Sequence, residues 1–444
     1  MTIVASATPV GRSALATVRM SGRDVEAVLA AVVEPLRPGP WVSGRVRRVR
    51  LVDQSGVFDD GVLVFGRAPK TYTGEDTAEI TCHGNPIIVE RLLHAAVAAG
   101  ARIAEAGEFS RRALVNGKLD LVRAEAVLQI THAASARGLD VGRAAMDGAL
   151  GAFIATQRQE LVDAAAELEA RLDYPGDDLA IEDDAAVLSR LARVSESCRS
   201  LAATFEVGRV LVHGARVALV GAVNAGKSSL FNAMVGRTRA LVHETPGTTR
   251  DVLEVVTEVG GVEITLLDTA GERRTTDPVE AAGLALGREL TDAADLLVVV
   301  VRAGPQAPDP AARAILERTA DRPRVVVYNG VDAVDVAPVP EDWVRTVAVA
   351  GEGVDRLRSA IVAALGCHEA TRSSTMMIAS ARQHDLLVQT AAAASRAMEG
   401  FEVAGVAAAA DEAIVGITAL DALTGADTRE SVLDALFSRF CIGK

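Results

Sequence analysis

The chain has 444 residues, 49% hydrophobic and 24% charged, which is long enough for two or three domains with sizeable cores. Its formal net charge of -13 argues against a protein coated in nucleic acid, so any RNA contact has to use a local basic patch or a partner's surface. No stretch approaches the roughly 18 uncharged apolar residues of a membrane span, the start MTIVASATPVGR lacks the regions of a signal peptide, and Cys82, Cys198, Cys367 and Cys441 form no CxxC pair, so a cytoplasmic protein without disulfides or zinc is expected.

Residues 1 to about 117 read as α+β. Strand-like runs at Leu15–Met20, Gly61–Phe65 and Thr77–Cys82 alternate with helical ones at Val25–Val33 and Ile87–Ala99, and turn-rich pieces at Arg37–Pro40 and Thr73–Asp76 punctuate them. From about Leu119 to Val207 the pattern is Ala-rich and helical, interrupted at Asp173–Asp184, where Pro and Gly mark a turn and acids crowd the next helix start. From Ala215 to about Gly366 short buried-type strands alternate with helices, which predicts a parallel sheet with right-handed crossovers. Beyond Met376 the helical pattern returns. The fold class is therefore an α/β P-loop domain (211–372) inserted in an all-α helical domain (118–210 and 373–444), preceded by an α+β N-terminal domain (1–117).

The inserted domain carries the clearest chemistry. Arg216–Val220 reads as a buried strand, Gly221-Ala-Val-Asn-Ala-Gly-Lys227-Ser228 follows at once, and an apolar helix opens at Ser229. This is GxxxxGK[ST] in its strand–loop–helix context. Backbone N–H groups of such a loop close around phosphates and the helix N-terminus adds its dipole; Lys227 reaches the terminal phosphates and Ser228 supplies a hydroxyl to Mg²⁺. Asp268-Thr269-Ala270-Gly271 ends a second strand 41 residues on (268 minus 227), where a carboxylate can hold the Mg²⁺ shell and Gly271 can offer its N–H to the γ-phosphate. Between them, Gly247-Thr248-Thr249-Arg250-Asp251 suits a switch loop ordered by GTP, equally a capped turn.

Guanine recognition departs from the usual pattern. After the strand Arg324–Tyr328 comes Asn329-Gly330-Val331-Asp332, where Asn-Lys-x-Asp is usual. Asp332 can accept from the guanine N1–H and 2-amino group, which adenine cannot satisfy; Gly330 lacks the stem that packs on the base, and Val347 stands where Ser is usual. Guanine preference with weaker affinity is expected. Lysine is scarce as well: Lys70, Lys118, Lys227 and Lys444 are the four among 46 basic residues, leaving 42 arginines (46 minus 4). A compact ammonium kept in so Arg-rich a chain points to sites that need a phosphate- or carboxylate-binding point charge.

The chain resembles the MnmE (TrmE) family of tRNA uridine-modification GTPases from Thr2 to Lys444. The resemblance rests on TIVASATPVGR at the start, TYTGEDTAEITCHGNP (71–86), GEFSRRALVNGKLDL (107–121), GAVNAGKSSLFN (221–232), GTTRDVL (247–253), DTAG and the terminal Cys441-Ile442-Gly443-Lys444. It implies an N-terminal domain that dimerises and binds 5-formyl- or 5,10-methylene-tetrahydrofolate through Arg19, Glu79, Lys118 and Lys444. It implies GTP/GDP held by Asn224, Ala225, Gly226, Lys227, Ser228 and Ser229, by His243, Glu244, Thr245, Pro246, Gly247, Thr248 and Thr249, by Asp268, Thr269, Ala270 and Gly271, and by Asn329 and Asp332. Mg²⁺ would sit on Ser228 and Thr249. A K⁺ ion, replacing an arginine finger, would sit on Asn224, His243, Thr245 and Thr248. The family's water-orienting glutamate corresponds to Glu280, working with Lys227 and Asp268; Glu272, directly after DTAG, is its rival. The resemblance further implies a homodimer acting with the FAD- and NADH-using partner MnmG (GidA) in a heterotetramer or larger complex. Together they would add a carboxymethylaminomethyl or aminomethyl group at C5 of the wobble uridine of certain tRNAs. No membrane is involved, and no GxGxxG opens a strand–helix unit that could hold FAD here.

Two other readings stay open at this point. A GTP-switch binding protein of the ribosome-assembly type would share the inserted domain but not the N-terminal motifs and CIGK. A family member with eroded nucleotide recognition would account for Gly330 and Val347. Cys441 reads as a tail residue near the folate site, and the CHGNP loop, with His83 and Asn85 off the family's usual pattern, reads as a structural turn.

Overall fold

The structure, a computed structural model, describes residues 1–173, 183–236, 252–269, 289, 291–306, 308–332, 336–367, 376–426 and 430–443. The chain forms two compact units: Met1–Leu128 with Ile154–Arg158 and Ile417–Lys444, and Gln129–Phe153 with Gln159–Gly416.

The first unit is built on a seven-stranded sheet of order β3-β4-β5-β6-β2-β1-β7. Its strands are β1 (Ile3–Ser6), β2 (Leu15–Ser21), β3 (Val33–Pro35), β4 (Val46–Asp53), β5 (Gly56–Gly66), β6 (Thr77–His83) and β7 (Arg102–Ile103). All neighbours run antiparallel except β1 and β7. Period-2 alternation sends Ala78, Ile80 and Cys82 of β6 and Val49 and Leu51 of β4 into one core with Val18, Met20, Leu63 and Phe65. Helices α1 (Val25–Val32) and α2 (Pro86–Ala98) add Leu29 and Leu92 to that core. The CHGNP loop is indeed a turn: the Asn85 side chain accepts from the Ile87 N–H at 3.0 Å and Pro86 opens α2, so Asn85 is a helix cap. Helix α3 (Glu108–Val115) follows β7. Strand β4, absent from the sequence reading, is hidden there by its arginines; only Val49 and Leu51 face inward. The chain closes on this unit. Phe437 and Phe440, rings 5.3 Å apart, pack with Ala124 and Leu114, each ring burial stabilising by roughly 1.5–3 kcal/mol, and Ile442 bridges Ala106 as a short antiparallel contact.

The second unit combines helices with an inserted sheet. Its helices include α4 (Leu121–His132, in part), α5 (Ala136–Met146), α6 (Ala149–Asp173, in part), α7 (Asp184–Ala202) and α8 (Phe205–His213). Asp183 caps α7 by accepting from the Ala186 N–H at 2.7 Å, as the acid-rich helix start suggested. The sheet has order β13-β12-β11-β8-β10-β9, with β8 (Ala215–Gly221), β9 (Val252–Val259), β10 (Val262–Thr269), β11 (Leu296–Arg302), β12 (Arg324–Asn329) and β13 (Val344–Thr346). Helices α9 (Lys227–Val235), α10 (Pro310–Arg318) and α11 (Val354–Ala364) belong to it. Leu296–Val301 of β11 are all buried, as a strand covered on both faces must be. The expected all-parallel sheet needs one correction: β9 runs antiparallel to β10, because Gly260-Gly261 makes a two-residue hairpin turn there.

After the sheet come α12 (Ala381–Val403) and α13 (Val406–Thr424, in part). Val187, Leu191, Val194, Cys198 and Leu201 of α7 make one apolar stripe at alternating spacings of four and three. It packs on the small face of α12 (Leu387, Ala391, Ala394, Ala397), and Ser195 donates across to the Ala391 carbonyl at 3.0 Å. The sheet and the helices share a core: Val141, Val210, Leu211 and Val212 pack with Val217, Ile264, Met377 and Ala379. Asp295 adds a polar clamp, accepting from Arg209 Nη2 at 2.7 Å and from the Arg216 N–H at 2.7 Å.

Candidate nucleotide-binding site and the N-terminal cluster

Strand β8 delivers Gly221 at its C-terminal end, and the loop turns into α9 at Lys227. Asn224 (φ +61°) and Gly226 (φ +94°) are left-handed, while Ala225 between them is not. Such alternation of backbone hands is how successive N–H groups form an anion-binding nest. Asn224 tolerates this conformation as few side chains do. Gly226 is obligatory, because a Cβ there would lie 2.2 Å from Asn329 Nδ2. Lys227 is 7% exposed, and its ammonium donates to the carbonyls of Gly221 and Ala222 at 3.0 Å each. Ser228 stands exposed in the first turn of α9, as does Ser229. Asp268 of β10 is half-buried and in register with Leu219 of β8, so a carboxylate and a hydroxyl flank the loop, a hard-oxygen set that suits Mg²⁺. Among the described residues there is no cluster of three or more His, Cys, Asp or Glu that could hold a metal by itself.

The base side is organised by Asn329, buried at the end of β12. Its Nδ2 donates to the Ala225 carbonyl at 3.2 Å. Its Oδ1 accepts from the Thr346 hydroxyl at 3.1 Å and from the Ala348 N–H at 3.0 Å. The side chain that the sequence marks as a nucleotide contact is in the structure a strut, joining the phosphate loop to the turn after β13. That turn is closed by paired bonds between the backbones of Val347 and Glu352; Val347 is buried and Val349 is 91% exposed. Asp332 is exposed, and Gly330 is left-handed at φ +84° with open space where a side chain would start. His243, Glu244, Thr245, Pro246, Gly247, Thr248, Thr249, Ala270, Gly271, Glu272, Glu280 and Lys444 lie outside the described residues, as does the side chain of Thr269.

In the first unit the structure brings β2, β6, α3 and the C-terminal tail together. Arg19 and Glu79 are in register on β2 and β6, with Arg19 Nε donating to Glu79 Oε1 at 2.8 Å. Arg19 Nη1 also donates to the Gly443 carbonyl at 3.2 Å, and the guanidinium lies 5.8 Å from the Phe109 ring centre. Sequence reasoning missed both Phe109 and the Gly443 carbonyl, which no motif spacing announces. Lys118 is exposed and packs against the Thr73–Asp76 turn, its methylenes over Gly74. Cys441 is exposed, whereas the other three cysteines are buried; burial pushes the Cys82 thiol up to about 11 and Cys198 up to about 12, so neither is a thiolate at neutral pH.

A second feature escaped the sequence reading. A hollow of about 320 Å³ is lined by Glu75, Arg102, Glu105, Glu108, Arg111 and Arg112. Glu108 is buried within it. Burial alone would raise its pKa, but hydrogen bonds from Arg102, the Glu105 N–H and Arg112 hold it below the ordinary carboxylate value. Arg112 also donates to Glu75 at 2.8 Å. The i,i+4 spacing of Glu108 and Arg112 is the one signal of this network in the sequence.

The parallel strands, the glycine loop and the buried lysine define a P-loop nucleotide-binding domain, here set into a helical scaffold. Residues 121–441 match the MnmE helical domain, and residues 2–118 match the GTP-binding protein TrmE N-terminus. The tRNA modification GTPase MnmE of Roseiflexus castenholzii is 38% identical over 465 residues, covering 100% of this chain and 99% of that one. The protein of the same name from Synechococcus sp. (strain CC9902) is 41% identical over 452 residues, covering 99% and 98%. The chain belongs to the MnmE family of tRNA modification GTPases. Among solved structures, the G domain of the T. maritima FeoB iron transporter aligns with 34% of this chain and 98% of its own at 26% identity and a TM-score of 0.27, too partial a likeness to carry an argument.

Proposed function

We propose that this protein hydrolyses GTP in the service of tRNA modification. It would act as a cytoplasmic homodimer with an FAD- and NADH-using partner of the MnmG (GidA) type. The reaction would place a carboxymethylaminomethyl or aminomethyl group at C5 of the wobble uridine, using a tetrahydrofolate one-carbon unit. The observation that carries this reading is the phosphate loop, with its left-handed Asn224 and Gly226 and its buried Lys227, in a chain similar over its whole length to proteins named tRNA modification GTPases.

In this reading, the N–H groups of residues 224–229 and the Lys227 ammonium cradle the phosphates. Ser228 and Thr249 would ligate Mg²⁺, with Asp268 holding its water shell. Asn224, exposed in the loop, would ligate K⁺ with oxygens from His243, Thr245 and Thr248. When bound, the two cations neutralise charge that develops on the phosphates as the γ-phosphoryl group departs. Glu280 orients the attacking water, and Asp332 accepts from the guanine edge. Arg19, Glu79, Lys118 and Lys444 would hold the folate.

Phosphate release by the purified protein in KCl against NaCl, with Glu280→Ala alongside, tests the mechanism. Strong stimulation by potassium, lost in the variant, is the expected result. Equal slow rates in both salts would overturn it.

A further inference from the structure

Between Arg37 and Arg50 the sequence RPGPWVSGRVRRVR holds five arginines and no acid, in a chain of net charge -13. The structure divides these arginines by task. Arg47 is architectural: its guanidinium lies over the Trp41 ring, 4.8 Å from the centre, and donates to the carbonyls of Arg37, of Gly39 at 2.9 Å and of Pro40 at 3.2 Å. These bonds pin the loop between β3 and β4. Arg50 is opposed by Glu34 at 3.8 Å and pairs in register with Asp60. Arg37, Arg45 and Arg48 are exposed, and none has an ion-pair partner among the described residues. The loop after β5 is laced alongside, Gly44 N–H donating to the Phe65 carbonyl at 2.8 Å and Arg67 N–H to Ser43 Oγ at 3.0 Å. That loop brings Lys70, exposed and likewise without an ionic partner. It is the one lysine of the four that no nucleotide or folate motif accounts for.

Four exposed cations without ionic partners, in neighbouring loops and strand, raise the local positive potential and suit a polyanion. Several other arginines of this unit, Arg19, Arg67, Arg91, Arg102 and Arg112, are by contrast paired with acids. Guanidinium groups match phosphate oxygens bidentately. Arg48 sits opposite Val62, and Val46 opposite Val64, all exposed, so apolar surface lies beside the charges for contact with ribose. We propose that the edge carrying Arg37, Arg45, Arg48 and Lys70 is where this acidic protein grips the phosphate backbone of an RNA, namely its tRNA substrate. The proposal rests on the tRNA-modification reading and adds the surface to it. Binding here is sequence-independent and salt-sensitive, and it positions the RNA without reading bases.

The test uses the full chain with Arg37, Arg45 and Arg48 all changed to Gln, and separately all changed to Lys. Anisotropy of a labelled tRNA is followed between 50 and 200 mM KCl. The Gln variant should bind at least about tenfold more weakly at low salt, with a log–log salt slope shallower by about 2 to 3, since each phosphate contact contributes 0.7 to 0.9. The Lys variant should recover most of the slope. GTP hydrolysis and elution volume should match the native chain in both, which excludes misfolding. Native affinity and slope in the Gln variant would overturn the assignment while leaving the tRNA reading intact. A native chain that binds no RNA at 50 mM KCl would overturn it too, and phosphate release would still judge the GTPase reading on its own. Loss of an acidic protein ligand with RNA binding unchanged would reassign the edge to that protein and equally sink the proposal.

Discussion

Replacing Asn329 with alanine removes three hydrogen bonds at once, and the groups left behind are poorly placed to find water. Ala225 is 3% exposed, Thr346 1% and Ala348 6%. A protein hydrogen bond contributes about 1 kcal/mol net, and a buried group left unpaired costs about 1–3 kcal/mol. The Thr346 hydroxyl can rotate; the Ala225 carbonyl and the Ala348 N–H cannot. The expected loss is about 3–4 kcal/mol, a large part of the 5–15 kcal/mol that holds a typical domain. Thr346→Val is the graded control. It deletes one of the three bonds and leaves Oδ1 of Asn329 its Ala348 donor, so about 1 kcal/mol is expected. The P-loop domain can be watched on its own, because Trp343 packs edge-on against Tyr328 at 6.1 Å and the other tryptophan, Trp41, belongs to the first unit. Urea unfolding followed by Trp343 emission in a Trp41→Phe background gives the stability, and titration with a fluorescent GDP gives the affinity. Asn329→Ala should weaken both. If it stays within about 0.5 kcal/mol of the native protein, or if Thr346→Val costs as much, the strut account is wrong.

Other consequences are as direct. Gly330→Lys should tighten GDP several-fold by restoring a stem to pack on the base. The same change should lower the urea midpoint of the domain, since a side chain at φ +84° costs about 1 kcal/mol; unchanged GDP affinity would refute the account of this departure. Glu108→Gln should destabilise the first unit by about 2 kcal/mol, read by Trp41 emission, since Arg102 and Arg112 lose a buried partner. Because the folded state holds the Glu108 pKa below its ordinary 4.5, its contribution is fully present above that value and is lost as pH falls through the folded one. The acid limb of the native stability curve should flatten in the variant. Gly443→Ala sets a methyl carbon 2.3 Å from the Ser6 carbonyl at φ +100°, so hydrogen exchange should show Ala106 and its neighbours losing protection as the tail lifts.

What could be read in advance follows a physical pattern. The β8–loop–α9 segment was legible because phosphate binding needs glycine, lysine and hydroxyl at fixed short spacings. The Ala-rich helices were legible by period. The hairpin of β9 and β10 was not, although Gly260-Gly261 is a two-residue turn signal, because the alternating βα rhythm on either side suggested a crossover. Strand β4 was lost to its own arginines, whose solvent-facing positions dilute the apolar alternation of Val49 and Leu51. The strut made by Asn329 was not legible, since a sequence shows what a side chain is and not which buried carbonyl it must serve. The meeting of Arg19 with Gly443 spans 424 positions and leaves no local trace.

That last contact has a bearing on how the protein is made. The first unit is assembled from stretches of chain separated by the whole second unit. A nascent polypeptide leaving the ribosome therefore presents α3 and α4 with Leu114 and Ala124 uncovered until Phe437 and Phe440 have been translated. The sheet's own core, made entirely of residues 4–101, can close early, but the α3–α4 face must wait with apolar surface bare while the intervening residues emerge and fold. Closure over so long a separation is entropically slow. The earliest-made domain is thus among the last to be finished, and the demand for chaperone protection during synthesis should fall on its α3–α4 face.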